Sequence, residues 1–384
     1  MPKLDAKWLE SDATQTVFAL LEDAGFAVFA VGGCVRNSLL GTPVNDVDLA
    51  TNAMPDNVKD LARSKGLHAI GTGVEHGTVT VVVDGTPFEI TTFRRDVETD
   101  GRRAVVAFSD RIEDDARRRD FTMNALYADS SGTVHDPLDG LRDLRTRRVR
   151  FIEDPVARIR EDYLRSLRYF RFHAWYGDPA EGFDPAALDA IARNVEGLSS
   201  LSRERVGAEM KRLLEAPDPV QSLLGMQSTG VLAAVLPGAT DAAIGPLIAL
   251  EDAAGAPPDA MRRLAALGGD DPGQLLRLSR RETERLNVLR NAAGLSAPEA
   301  GYRLGKELGT DAWLVRSAST GMALDVADLK AVSHGAAQKF PVKAADLMPE
   351  LDGVALGKAL KQLEQRWIDS GFALSRDALL ASGG

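Results

Sequence analysis

The sequence predicts an α+β protein. Strands and helices mix over about the first 150 residues, and helix alone follows to residue 384. Three observations carry this prediction. The runs Phe26–Val31, Thr78–Val83 and Phe88–Phe93 read as strands. Asp84-Gly85, between the last two, suits a tight hairpin turn. From Asp154 on, apolar residues recur at steps of three or four: Val156, Ile159, Tyr163, Leu167 and Phe170.

At 384 residues the chain is long enough for two or more domains. Its 44% apolar and 27% charged residues are ordinary for a soluble globular protein. The single cysteine, Cys34, rules out an internal disulfide and fits the cytoplasm, with core packing as its expected role. The longest pure apolar run, Val231 to Leu236, is far below the roughly 20 residues that span a bilayer. Met1 to Glu10 is charged and lacks the apolar core of a signal peptide. The net charge of −10 argues mildly against a nucleic-acid partner. From Leu141 to Arg171, however, ten arginines face five acids, a local +5 compatible with RNA.

Taken in order, residues 11–24 carry Val17, Leu20, Leu21 and Ala24 at helical spacing. The strand Phe26–Val31 then meets Gly32-Gly33. Paired glycines let the backbone turn sharply and bring N–H groups close to a ligand. Arg36 follows, a fixed cation suited to phosphate. Asp46 and Asp48 stand at i, i+2 in the strand-like stretch Val44–Leu49, a spacing that puts both carboxylates on one face. Two hard oxygen ligands side by side suit Mg²⁺ when phosphates and waters complete its shell. A Gly-Gly turn and a solvated acidic loop would explain each half alone; together they favour nucleotidyl transfer.

Pro55–Ser64 reads as a helix. In the strand Phe88–Phe93, Glu89 shares a face with Thr91 and Phe93. It is either a third carboxylate for the aspartate pair or a surface residue on an edge strand. Residues 95–115 are polar and poor in periodic apolar positions, which predicts a mobile loop. Arg117 to Leu126 reads as a helix start whose arginines and Asn124 can hold a triphosphate and a ribose hydroxyl; a capped amphipathic helix is the plainer reading. Asp136 to Leu144 is a turn-rich connector. Asp154-Pro155 caps a helix running through Phe170. On it Asp162 and Arg165 fall away from the apolar stripe and are neighbours at i, i+3. Leu201–Leu214 is another helix, opened by Ser202 and read as a support for the first. Ser279 and Glu282 form a capping box opening Arg280–Ala292. The tail has Phe340-Pro341-Val342-Lys343 and a basic helix from Gly357 to Trp367. The five histidines, His68, His76, His135, His173 and His334, show no metal spacing.

These motifs resemble those of the class II tRNA nucleotidyltransferases and bacterial poly(A) polymerases. The resemblance rests on Gly-Gly-x-Val-Arg with Asp-x-Asp beginning thirteen residues after Gly33. It also rests on Arg118-Arg119-Asp120-Phe121-Thr122-x-Asn124-Ala125-Leu126 and on Glu161-Asp162-x-x-Arg165. One departure is visible. The family usually has Asp after the motif arginine, and this chain has Asn37.

The resemblance implies a polymerase-β-like head with a mixed sheet over residues 1–150 and a helical neck holding the base reader over 151–216. A helical body over 217–300 and a tRNA-binding tail over 301–384 complete it. It implies addition of C and A to tRNA 3′ ends from CTP and ATP, with poly(A), CC-only or A-only addition as the alternative and no obligate protein partner. Catalysis would use Mg²⁺ on Asp46 and Asp48, with Glu89 as the further candidate, one ion activating the RNA hydroxyl and one the triphosphate. Gly32, Gly33, Arg36, Arg119, Asp120 and Asn124 would hold phosphates and sugar. Asp162, Arg165 and Arg168 would read the base, braced by Arg171. A carboxylate acceptor beside a guanidinium donor pairs with the donor–acceptor edge shared by cytosine and adenine. Uracil and guanine present the reverse order and are rejected.

Overall fold

The computed structural model describes residues 2–73, 77–100, 103–323, 325–348 and 350–381; His76 lies outside them. The chain divides into two compact units, residues 1–209 with 221–235, and residues 210–220 with 236–384.

The first unit contains a seven-stranded mixed sheet in the order β3-β4-β5-β2-β1-β8-β9. The strands are β1 (Val28–Val31), β2 (Asp48–Thr51), β3 (His68–Gly73), β4 (Thr78–Val83), β5 (Thr86–Thr92), β8 (Tyr127–Ala128) and β9 (Val134–His135). Only β2 and β5 run parallel among the named pairs. The expected hairpin joins β4 to β5. Asp84 (φ 49°) and Gly85 (φ 79°) both take positive φ, as a tight hairpin turn requires.

Helices α1 (Asp12–Glu22), α2 (Gly33–Leu40) and α3 (Pro55–Ser64) alternate with the first strands. Ser11 caps α1 through Thr14 N. Below the site lies a core of Val31, Ala50, Phe93, Ala116, Ala125, Tyr127 and Ile152.

Residues 95–115 differ from the expected loop. They form a two-stranded sheet, β6 (Arg94–Asp100) with β7 (Arg103–Phe108), and the start of α4 (Ile112–Arg117). The apolar run Ala104 to Phe108 favours pairing, and Glu113, Asp114 and Asp115 suit the positive end of a helix.

Two helical expectations also change. Arg117–Arg119 close α4 instead of opening a helix, and a single 3₁₀ turn, Thr122–Asn124, follows. Phe121 to Ala125 is buried at every position, which an amphipathic surface helix cannot be. The helix beginning at Pro155 is not continuous. It breaks into α6 (Pro155–Glu161) and α7 (Leu164–Tyr176), with Asp162 extended between them at φ −154°. Beyond α5 (Gly140–Arg145) and these two, α8 (Pro185–Arg193) and α9 (Arg203–Leu214) complete the elements that shape the site.

The second unit is helical, as expected. Its Ser279–Glu282 capping box forms with both hydrogen bonds. The carboxylate of Glu251 lies between Arg262 and Arg263, all three buried and paired as buried charges must be. Trp367 packs on Phe340, Tyr302 and Phe372 in the tail.

Candidate active site

The site begins where β1 turns into α2. Gly32 sits at φ 75°, ψ −119°, and a Cβ there would stand 3.5 Å from Nη1 of Arg119. The backbone conformation disfavours any side chain here, and the Arg119 guanidinium lies in contact with the position a Cβ would take. Gly33 opens α2, so the glycine pair sets the sharp turn expected of it.

Because β1 turns away at Gly32, the residues before Asp48 have no partner on the β1 side. β2 therefore starts at Asp48, and Asp46 lies in the preceding irregular segment. This corrects the expectation that both aspartates ride one strand. Asp48 is instead paired in parallel register with Glu89 on β5, on neighbouring strands about 4.8 Å apart. Asp48, Glu89 and Asp46 all keep faces open to solvent. Even so, the protein around Asp48 disfavours its charge. Burial first, then the carboxylates of Glu89 and Asp46, raise its pKa above the ordinary value, against the pull of Arg119. Carboxylates that repel one another beside a cation accept a divalent ion readily. Among the described residues no three metal-binding side chains already form a cage. The set fits a metal that completes its shell with phosphate and water.

Arg119 is aimed by groups that sequence reasoning missed. Asp115, fully buried on α4, takes Arg119 Nη2 at 2.8 Å and Arg118 Nη2 at 2.6 Å, and Tyr127 donates its hydroxyl to it at 2.8 Å. Burial opposes the Asp115 charge, but Arg119 and Arg118 hold its pKa at about 2. The i, i+3 and i, i+4 spacing to two arginines was the available signal, hidden by reading this stretch as a loop.

Arg36 is not a free cation at the surface. It is 6% exposed. Its guanidinium stacks 4.0 Å over the Tyr176 ring and donates to the Tyr176 hydroxyl at 2.8 Å, to Asn37 Oδ1 at 2.8 Å and to Asn124 Oδ1. Asn124 passes the connection on, donating Nδ2 to Asp120 at 2.9 Å. Asp120 in turn accepts from Arg168 Nε at 2.7 Å and Nη2 at 2.6 Å. Arg168 lies 3.8 Å from Glu209 on α9, which also takes Arg171 Nε at 2.5 Å. A continuous polar relay thus runs from α2 through the 3₁₀ turn to α7 and α9. Burial would raise the Asp120 pKa; Arg168 and Asn124 hold it at about 2.

Asp162 and Arg165 are near each other in the chain but not paired. Asp162 caps α7 through Leu164 N at 3.1 Å and takes Arg205 Nη2 at 2.6 Å. Arg165 turns to Glu161 at 2.5 Å and to the Arg118 carbonyl at 2.9 Å. Arg205 and Glu209 confirm α9 as a support for α7. Cys34 is buried, its thiol pushed up to about 12 by burial. It packs in the core between the Val31 and Asp48 backbones.

A family profile described as "Poly A polymerase head domain" matches residues 28–150. A second, "Probable RNA and SrmB- binding site of polymerase A", matches residues 182–243. The Mus musculus protein named "CCA tRNA nucleotidyltransferase 1, mitochondrial" is 33% identical over 377 residues, 91% of this chain and 85% of that one. The chain belongs to the CCA-adding tRNA nucleotidyltransferase family. The Homo sapiens member of the same name is 44% identical over 184 residues, 48% of this chain and 42% of its own length. A crystal structure of the Bacillus stearothermophilus CCA-adding enzyme in complex with CTP superposes with a TM-score of 0.69 at 28% identity, over 93% of this chain and 92% of that one. Members of this family generally use divalent metals. Among the described residues no helix is long and apolar enough to cross a membrane.

Proposed function

We propose that this chain is a template-independent nucleotidyltransferase that adds C and A to tRNA 3′ ends from CTP and ATP. The observation that carries the reading is one juxtaposition in the first unit. The acidic strand edge Asp48–Glu89 lies beside Arg119, and the Asp120–Arg168 pair ties the Arg119 segment to α7. Charge for a metal, charge for a triphosphate and a helix bearing base-reading groups are all held by one network.

Asp46 and Asp48 would hold Mg²⁺, with Glu89 beside Asp48 on the neighbouring strand. When bound, the metal lowers the pKa of the RNA 3′-hydroxyl and offsets charge on the triphosphate. Gly32 and Gly33 give the phosphates an open approach, and Arg119 meets them with Nη1. Arg36, Asp120 and Asn124 shape this cradle from behind. Asp162 and Arg165 read the base edge after exchanging their contacts with Arg205 and Glu161 for it. Arg168 and Arg171 hold the reading surface.

In this reading residues 1–150 are the catalytic head, 151–216 the neck with the reader, 217–300 the body, and 301–384 the tail that grips tRNA. The local +5 between Leu141 and Arg171 favours an RNA partner despite the net −10. The compartment is the cytoplasm, where Cys34 stays reduced; fluorescence imaging of the tagged chain tests this.

The deciding experiment offers purified protein each NTP with tRNA lacking its terminal CCA and sequences the product ends. Ends completed as CCA are expected. Runs of A would instead mark a poly(A) polymerase, and CC or a lone A a partial enzyme.

A further inference from the structure

Asp46 sits in a segment, residues 42–47, that has neither helix nor strand. This segment leaves α2 through Gly41, which is left-handed at φ 68°. Asn37, one turn back on α2, holds it from two sides. Its backbone carbonyl accepts from Thr42 N at 2.9 Å, and its side-chain Nδ2 donates to the Pro43 carbonyl at 2.8 Å. The other end of the amide faces Arg36, where Oδ1 accepts from Nε at 3.1 Å and from Nη2 at 2.8 Å.

The partners dictate which end is which. A guanidinium only donates and a carbonyl only accepts, so the oxygen must face Arg36 and the nitrogen must face Pro43. A carboxylate here would satisfy Arg36 but set an oxygen against the Pro43 oxygen. An amide is the side chain that answers both neighbours.

We propose that Asn37 is a positioning residue for the metal site: its amide fixes the Asp46 segment to α2 and, through Arg36, to the relay that ends at Arg168. The proposal rests on the assignment of Asp46 as a metal ligand. Asp46 follows Pro43 by three residues, so freeing Pro43 lets the carboxylate wander before a metal binds. That ordering cost appears as weaker metal affinity.

The test titrates Mn²⁺, an EPR-visible stand-in for Mg²⁺, into the full-length chain without nucleotide. It compares wild type with Asn37→Asp, Asn37→Ala and Asp46→Asn. Asn37→Asp keeps the acceptor for Arg36, loses the bond to Pro43 and adds a charge; Asn37→Ala loses both contacts and adds none. Asn37→Ala is expected to bind Mn²⁺ roughly three- to ten-fold more weakly, the effect of untying Pro43, and Asn37→Asp shows how far an added charge offsets that loss. The metal concentration giving half-maximal CTP incorporation should rise by the same factor, and the KM for CTP at saturating metal should move less. Wild-type Mn²⁺ affinity in Asn37→Ala, alongside lost binding in Asp46→Asn, overturns the positioning role and leaves the metal assignment standing. Undiminished Mn²⁺ binding in Asp46→Asn overturns the metal assignment and this proposal with it.

Discussion

Asp120 accepts two hydrogen bonds from the Arg168 guanidinium, at 2.7 Å from Nε and 2.6 Å from Nη2. The two residues stand 48 positions apart. Their pairing fixes the segment that carries Arg119 against the helix that carries Arg165 and Arg171. Both nitrogens converge on Oδ2, while Oδ1 accepts from Phe121 N and Asn124 Nδ2, so both oxygens of the carboxylate are held. Asp120→Asn keeps the size and loses the charge. We expect it to cost about 2–4 kcal/mol, because Arg168 then loses its nearest counter-charge and keeps only Glu209 at 3.8 Å. Chemical denaturation measures this, and an unchanged midpoint would remove Asp120 as the junction of the relay.

The same pair gives a pH dependence with a definite sign. Asp120 has its pKa lowered to about 2 in the folded chain, from an ordinary value of 3.8. Its contribution, on the order of 2 kcal/mol, is therefore fully present above about pH 4 and is lost as pH falls toward 2. The stability gap between wild type and Asp120→Asn should hold steady from pH 7 to 5 and close below pH 4. Denaturation midpoints across that range provide the check; a gap that widens on acidification contradicts the assignment.

Asp46→Ala and Asp48→Ala should each abolish nucleotide incorporation while leaving the fold intact. Asp48 lies beside Glu89 and Asp46, which raise its pKa. Removing it relieves repulsion, so the melting temperature should stay level or rise slightly. Activity near wild type with an unchanged melting curve would take both residues out of the chemistry.

Replacing Asp162 and Arg165 together by Ala should weaken discrimination more than triphosphate binding, since Arg119 is untouched. A hydrogen-bonding site rejects a mismatched edge by up to roughly 10⁴-fold, so incorporation of UTP or GTP should become measurable. If the double variant is slower with all four nucleotides yet keeps its preference for C and A, these residues serve only the helix break that they occupy.

Shortening β6 and β7 to a tight turn should leave C addition in place and reduce A addition. The ribbon connects the strand carrying Glu89 to α4, whose Asp115 aims Arg119. Equal addition of both nucleotides by the shortened chain would show that the ribbon has no part in passing from C to A addition.

Much of the site was legible in the sequence because local chemistry writes it there. Gly32-Gly33 after an apolar strand, Asp48 and Glu89 on strands, and the Asp84-Gly85 turn depend on backbone geometry within a few residues. The caps at Asp154 and Ser279 are equally local. What stayed hidden depends on partners far along the chain. Periodicity continued the helix through Asp162, but Arg205, 43 residues away, and the α7 N-terminus draw the carboxylate out of it. Composition made 95–115 a loop, yet 94–100 and 103–108 pair as strands and Ile112 packs on the core. Arg36 read as a cation for phosphate, and only tertiary packing under Tyr176 and beside Asn124 turned it inward. The sequence alone determined which chemical groups this protein owns and which backbone turns present them. The tertiary structure decided which charges pair with one another and which remain facing solvent, because a charge is settled by its nearest opposite charge in space.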